Sequence, residues 1–174
     1  ILVAQDTACY GKDIGNITLA NLLRELSAID GIEWIRLQYS YPENITDELI
    51  DEIASNPKVV KYLDMPIQHI SDNILKKMGR RSRQAQVESL IEKLRSKIDG
   101  LSIRTSLIVG FPGETESDFE TLKTFITNYK LDKVGIFTYS REEGTPACDY
   151  DGQVEEDTKE KRRSELMEIQ QGIS

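Results

Sequence analysis

Short apolar runs and longer helical stripes alternate along the 174 residues of this chain. The runs 1–4, 34–38, 59–63, 103–109 and 134–139 are rich in β-branched and aromatic residues. That is the composition of short parallel strands with buried faces. Arg36 and Arg104 interrupt two of them, so those strands cannot be sealed in apolar core on both sides. Between the runs, Leu19, Leu22, Leu23 and Leu26 fall on one helical face, as do Val87, Leu90, Ile91 and Leu94. Phe119, Leu122, Phe125, Ile126 and Tyr129 form another such face. Thr46, followed by Asp47 and Glu48, predicts a capped helix start, and Thr115 with Asp118 predicts a capping box. Residues 154–174 read as a charged terminal helix with a weak apolar face of Leu166 and Ile169, and 142–153 read as a loop.

The order is strand then helix, repeated. It predicts an α/β fold with a parallel sheet and right-handed crossovers. About five strands are too few to close an eight-stranded barrel, so the expected form is an open, partial β/α barrel with outer helices. Residues 1–174 are read as a single domain.

In such folds chemistry gathers at the carboxyl ends of the strands. The unusual residues fall there repeatedly: Gln5-Asp6-Thr7, then Tyr39-Ser40-Tyr41-Pro42, then Asp64 through His69, then Gly110 through Glu114, then Tyr139 through Gly144. Each cluster also has a plain reading. Gly110 and Gly113 suit a tight turn as well as a close approach of backbone to ligand. His69, the one histidine, reads as a hydrogen-bonded loop residue before it reads as an acid. Asp6 and Asp64 could cap turns. The basic stretch of Lys76, Lys77, Arg80, Arg81 and Arg83 could be a solvated face or a receiver of carboxylate or phosphate.

Charge changes the picture only in part. The net charge is −8 and the sequence pI about 4.8, which argues against direct binding of nucleic acid. Two cysteines, Cys9 and Cys148, are too few for a disulfide framework and wrongly spaced for a metal site, so a reducing, cytoplasmic setting is expected. No apolar run is long enough to span a membrane. Ile1 already belongs to an apolar run, and the expectation is a piece of a longer protein.

Taken together, the strand-end motifs resemble the radical S-adenosylmethionine (SAM) methylthiotransferases. The resemblance rests on Val3 through Thr7 with Tyr10-Gly11, on Pro66 through Asp72 with Leu75 through Met78 and Arg80, on Ser106 through Thr115, and on Phe137 through Ser140 with Glu142 through Ala147. Four motifs in this order span nearly the whole chain. Ala4-Gln5-Asp6-Thr7, Gln68-His69-Ile70-Ser71 and Glu142-Glu143-Gly144 are similar to the RimO type, which modifies a protein, more than to the MiaB type, which modifies tRNA.

The resemblance implies a transferase. A 4Fe-4S cluster cleaves SAM, the resulting radical takes a hydrogen atom from the β-carbon of an aspartate in small-subunit ribosomal protein twelve, and a methylthio group is installed there. It implies that Gln5, Asp6 and Thr7 receive the cofactor's amino group, that Ser40 and Gln68 face its methionine and ribose, and that Ile108, Gly110 and Phe111 border the adenine with Tyr139 nearby. It implies no metal ligand within the chain. The three cluster cysteines are expected upstream of Ile1, on a loop after a first strand that this core lacks, and the isolated chain is expected to be inactive. The MiaB-type reaction, a non-catalytic α/β binding scaffold and a phosphate-binding barrel enzyme using Gly110 and Gly113 remain alternatives.

Overall fold

A computed structural model describes residues 1–15 and 17–173. Thus Ser174, at the end of the expected terminal helix, lies outside the described residues. The chain divides into two compact units, Ile1–Pro66 with Ser89–Arg104, and Ile67–Glu88 with Thr105–Ser174.

The first unit holds helices α1 (Leu19–Ser27) and α2 (Asp47–Ser55) and strand β1 (Tyr62–Asp64). Thr18 caps α1 through a capping box with Asn21, and the Thr46 side chain accepts from the Leu49 N–H at the start of α2. Both threonines satisfy amides that a helix start leaves orphaned. Strand β2 (Ser102–Val109) begins in this unit and runs parallel to β1, with Tyr62 opposite Ser102 and Asp64 opposite Arg104. The expected runs at 1–4 and 34–38 pair only at single parallel bridges, Leu2 with Leu37 and Ile35 with Val59. Their hydrogen bonds are nonetheless regular: Leu2 N donates to Arg36 O at 2.8 Å and Gln38 N to Leu2 O at 3.1 Å. Tyr39, with φ of 57°, turns the chain out of the ladder directly afterwards. Leu23, Leu37, Ile50, Ile53 and Leu63 are among the fully buried side chains of this unit's core.

The second unit holds α3 (Asp72–Lys77), α5 (Glu116–Tyr129), β3 (Lys133–Thr138) and α6 (Glu156–Gln171), together with the end of β2. Helix α4 (Gln84–Lys97), like β2, supplies residues to both units. Strand β2 alternates, with Ile103, Thr105, Leu107 and Val109 buried and Ser102, Arg104, Ser106 and Ile108 half-buried. One face therefore packs and the other stays reachable, as the arginine in this strand predicts. Strand β2 lies between β1 and β3. Thr115 and Asp118 form the expected capping box at α5. Helix α3 escapes a periodicity reading because six residues are too few to show a face. Ile70, Ile74, Leu122 and Phe119 are among the buried side chains here, each contributing roughly 1.5–3 kcal/mol.

Candidate functional site

In the first unit, the strand-end residues are knitted to one another by neutral and single-charge hydrogen bonds. Asp6 caps a 3-10 turn at Thr7–Cys9. Its Oδ1 accepts from the N–H groups of Ala8 and Tyr41, both at 3.1 Å. Its Oδ2 accepts from Asn44 Nδ2 at 2.6 Å and from the Cys9 thiol at 3.0 Å. Four acceptor positions fill a carboxylate. Thr7 Oγ1 lies 3.0 Å from Gln38 O, 3.1 Å from Tyr39 O and 2.9 Å from Ser40 Oγ, and both hydroxyl residues are buried. The Ser40 N–H donates to Asp64 O at 2.9 Å. Gln5, by contrast, is exposed. Burial, and then the Asp6 carboxylate beside it, push the Cys9 thiol up, so it is no thiolate at neutral pH.

On the half-buried side of this unit's strands lies a second polar group. Arg104 Nη1 donates to Asp64 Oδ2 at 2.9 Å, and the Arg36 guanidinium sits 4.7 Å from the centre of the Tyr62 ring.

The second unit's strand end is built differently, around buried charge. Gly110 and Gly113 take φ of 73° and 78°, which glycine adopts without a steric cost. Between and after them Glu114 turns inward. Its Oε2 accepts from Gly110 N–H at 2.7 Å and its Oε1 from Arg162 Nη1 at 2.8 Å. His69 Nδ1 accepts from Ser71 N–H at 3.0 Å, and its Nε2 lies 3.6 Å from Glu114 Oε2. His69 and Glu114 side chains are wholly inaccessible. Arg162 also donates to Glu116 at 3.0 Å and lies 5.2 Å from the centre of the Phe119 ring. Three residues earlier on α6, Lys159 Nζ donates to Tyr139 O at 3.1 Å. A Cβ at Gly110 would overlap the Lys159 side chain, and one at Gly113 would overlap Lys77. The two glycines therefore serve a turn and a close helix contact.

Of the remaining expected site residues, Gln68 takes φ of 73°, with its N–H donating to Ser106 O at 2.9 Å and its carbonyl accepting from Ile108 N–H at 2.7 Å. Ile108 is half-buried on β2. Phe111 meets Tyr139 edge to face at 5.1 Å, and Tyr139 N–H donates to Val109 O at 2.8 Å. The second unit thus brings Gly110, Phe111 and Tyr139 together, and the first brings Asp6, Thr7 and Ser40 together.

Sequence reasoning missed Lys159 and Arg162. The signal was present: 159, 162, 166 and 170 share one helical face, and all four are buried although three are polar. Among the described residues, no group of three or more histidine, cysteine or acidic side chains could hold a metal ion. The described residues therefore do not fit an iron–sulfur cluster. In the second unit an aromatic pair and Ile108 offer apolar surface, and in the first the exposed Gln5 amide offers polar contacts. No helix among the described residues is long and apolar enough to cross a membrane.

Residues 1–126 match the radical SAM superfamily, and the chain belongs to it. It is 58% identical over 175 residues to the ribosomal protein uS12 methylthiotransferase RimO of Clostridium botulinum (strain Eklund 17B / Type B), a match that covers 100% of this chain and 39% of that protein. It is 56% identical over 174 residues to the RimO of Acetivibrio thermocellus, covering 99% and 38% respectively. The chain thus spans about two fifths of the length of these relatives. Among solved structures, the Escherichia coli coproporphyrinogen III oxidase HemN, described as a radical SAM enzyme, superposes with a TM-score of 0.66 at 17% identity, over 89% of this chain and 36% of that one. The radical SAM methyltransferase TsrM of Kitasatospora setae superposes with a TM-score of 0.58 at 20% identity, over 71% and 25%. These structures share the α/β partial-barrel fold with this chain.

Proposed function

We propose that this chain is the core of a radical SAM methylthiotransferase that modifies the β-carbon of an aspartate in ribosomal protein uS12, in the cytoplasm. The observation that carries this reading is identity of 55–58% to RimO proteins along the whole chain.

Bound SAM supplies the hydrogen-abstracting radical and the methyl group in this reading; the cluster's ligands belong to parts of the longer protein outside these residues. The work of this chain is positioning and shielding. In the first unit, Gln5 meets the cofactor's amino group, while Asp6, Thr7 and Ser40 fix the loop that presents it. In the second, Ile108, Gly110, Phe111 and Tyr139 border the adenine, and Gln68 faces the ribose. The buried trio of His69, Glu114 and Arg162 holds that turn in shape. Residues 142–153 form the loop that leads into α6, Glu156–Gln171.

The test incubates the full-length protein, its clusters reconstituted without oxygen, with SAM, a reductant, uS12 and unmodified tRNA. Mass spectrometry of both substrates reads the result. A methylthio increment on uS12 alone is expected. An increment on tRNA alone would overturn the substrate, and no increment on either would overturn the activity.

A further inference from the structure

The two arginines that interrupt apolar runs of the first unit belong to one cluster. Register places Asp64 of β1 opposite Arg104 of β2, and Arg104 Nη1 donates to Asp64 Oδ2 at 2.9 Å. Asp64's side chain is 4% exposed and Arg104's 39%, so the carboxylate fixes one edge of the guanidinium and leaves the rest reachable. Arg36 lies over Tyr62 at 4.7 Å from the ring centre, and its buried Nε has no acceptor. No carboxylate among the described residues pairs with Arg36. Both guanidiniums and Asp64 act electrostatically on the Tyr62 hydroxyl, which burial foremost pushes up, so the four side chains share one field.

The charge count within the cluster is uneven. Arg36 and Arg104 carry two positive charges and Asp64 one negative, in a chain whose net charge is −8. A purely structural ion pair accounts for Asp64 and Arg104 but leaves Arg36 with a buried donor unsatisfied, which costs free energy unless something accepts from it. A single carboxylate would satisfy the donor and balance the charge. Guanidinium forks bind carboxylates with defined geometry.

We propose that Arg36 and Arg104 receive the side-chain carboxylate of the substrate's acidic residue, with Tyr62 supporting Arg36 and Asp64 fixing Arg104. The proposal rests on the reading above, in which that residue is an aspartate. It makes the two arginines specificity residues: they tell aspartate from its amide. Asparagine offers one acceptor oxygen and no charge, and its amide N–H groups face the guanidinium donors, so a site built for a carboxylate rejects it.

The experiment measures binding by the full-length protein of uS12 carrying aspartate, or asparagine, at the modified position, without SAM and separately with it. Wild type is expected to prefer aspartate by about tenfold or more. R36Q and R104Q are each expected to bring the two forms within about twofold of one another, with SAM affinity unchanged. R104K keeps the charge beside Asp64 and should give an intermediate ratio, and it carries the test should R104Q fail to fold. An aspartate preference retained in both R36Q and R104K would overturn the proposal. So would a fall in SAM affinity with the preference intact, which would assign the arginines to the cofactor's carboxylate instead. Wild type that binds and modifies uS12 without preferring aspartate sinks this inference and spares the function. Wild type that binds neither form sinks both.

Discussion

The strand ends of the two units solve the same problem with different chemistry. In the first unit, Asp6, Thr7 and Ser40 join chain segments through a partly buried carboxylate and two hydroxyls. In the second, a wholly inaccessible glutamate is held by a buried arginine from α6, with a buried histidine beside it. Neutral hydrogen bonds contribute about 1 kcal/mol each and fail gently. A buried ion pair adds little net stability while both partners are present, yet removal of one leaves a charge stranded. The second unit's turn should therefore be either fully formed or badly disrupted, while the first unit's loop should tolerate single losses.

The largest effect follows from R162M. It strands Glu114 in the interior and should cost about 3–5 kcal/mol, read as lost hydrogen-exchange protection across residues 105–116 of the full-length protein. The paired change E114Q with R162M should restore much of it. A loss below about 1 kcal/mol would erase the contrast between the units.

Next comes Asp118, whose side chain accepts from Ser71 and Thr115. Burial alone would raise its carboxyl, but these donors and Asn73 outweigh burial and hold it below the ordinary carboxylate range. D118N should cost about 1–3 kcal/mol at neutral pH. Because the folded value is the lower one, that contribution is complete above about pH 4 and is lost as the pH falls through the folded value. A gap between wild type and D118N that stayed constant down to strongly acid pH would contradict this assignment.

S40A removes one partner of Thr7, which keeps the carbonyls of Gln38 and Tyr39. About 1 kcal/mol is expected, read as exchange at residues 5–9. Smallest is K97Q, which breaks an exposed pair with Asp51 and should leave stability nearly unchanged, with any difference vanishing in high salt.

Much of this molecule was legible in its sequence. Periodicity located α1, α2, α4 and α5, and Thr46 and Thr115 cap helices as their spacing predicts. Arg104 announced that its strand keeps one reachable face, and the face is there. The runs 1–4 and 34–38 form isolated bridges instead of full strands because pairing is decided by neighbours and by the positive φ at Tyr39, which no local pattern displays. Lys159 and Arg162 were hidden by their chemistry. A reading that seeks apolar stripes passes over a helix face whose buried positions are charged, since the compensating Glu114 lies 48 residues away.

Modification of the β-carbon of an aspartate in uS12 is the activity proposed for the full-length protein. The most direct test offers the full-length protein, with SAM and reductant, uS12 that carries deuterium at the β-carbons of its aspartates. The recovered uS12 is then mapped by tandem mass spectrometry. The predicted result is a methylthio group on one aspartate that has lost one deuterium from the same carbon. A methylthio group on a residue that keeps all its deuterium, or one found only on tRNA, would contradict the claim.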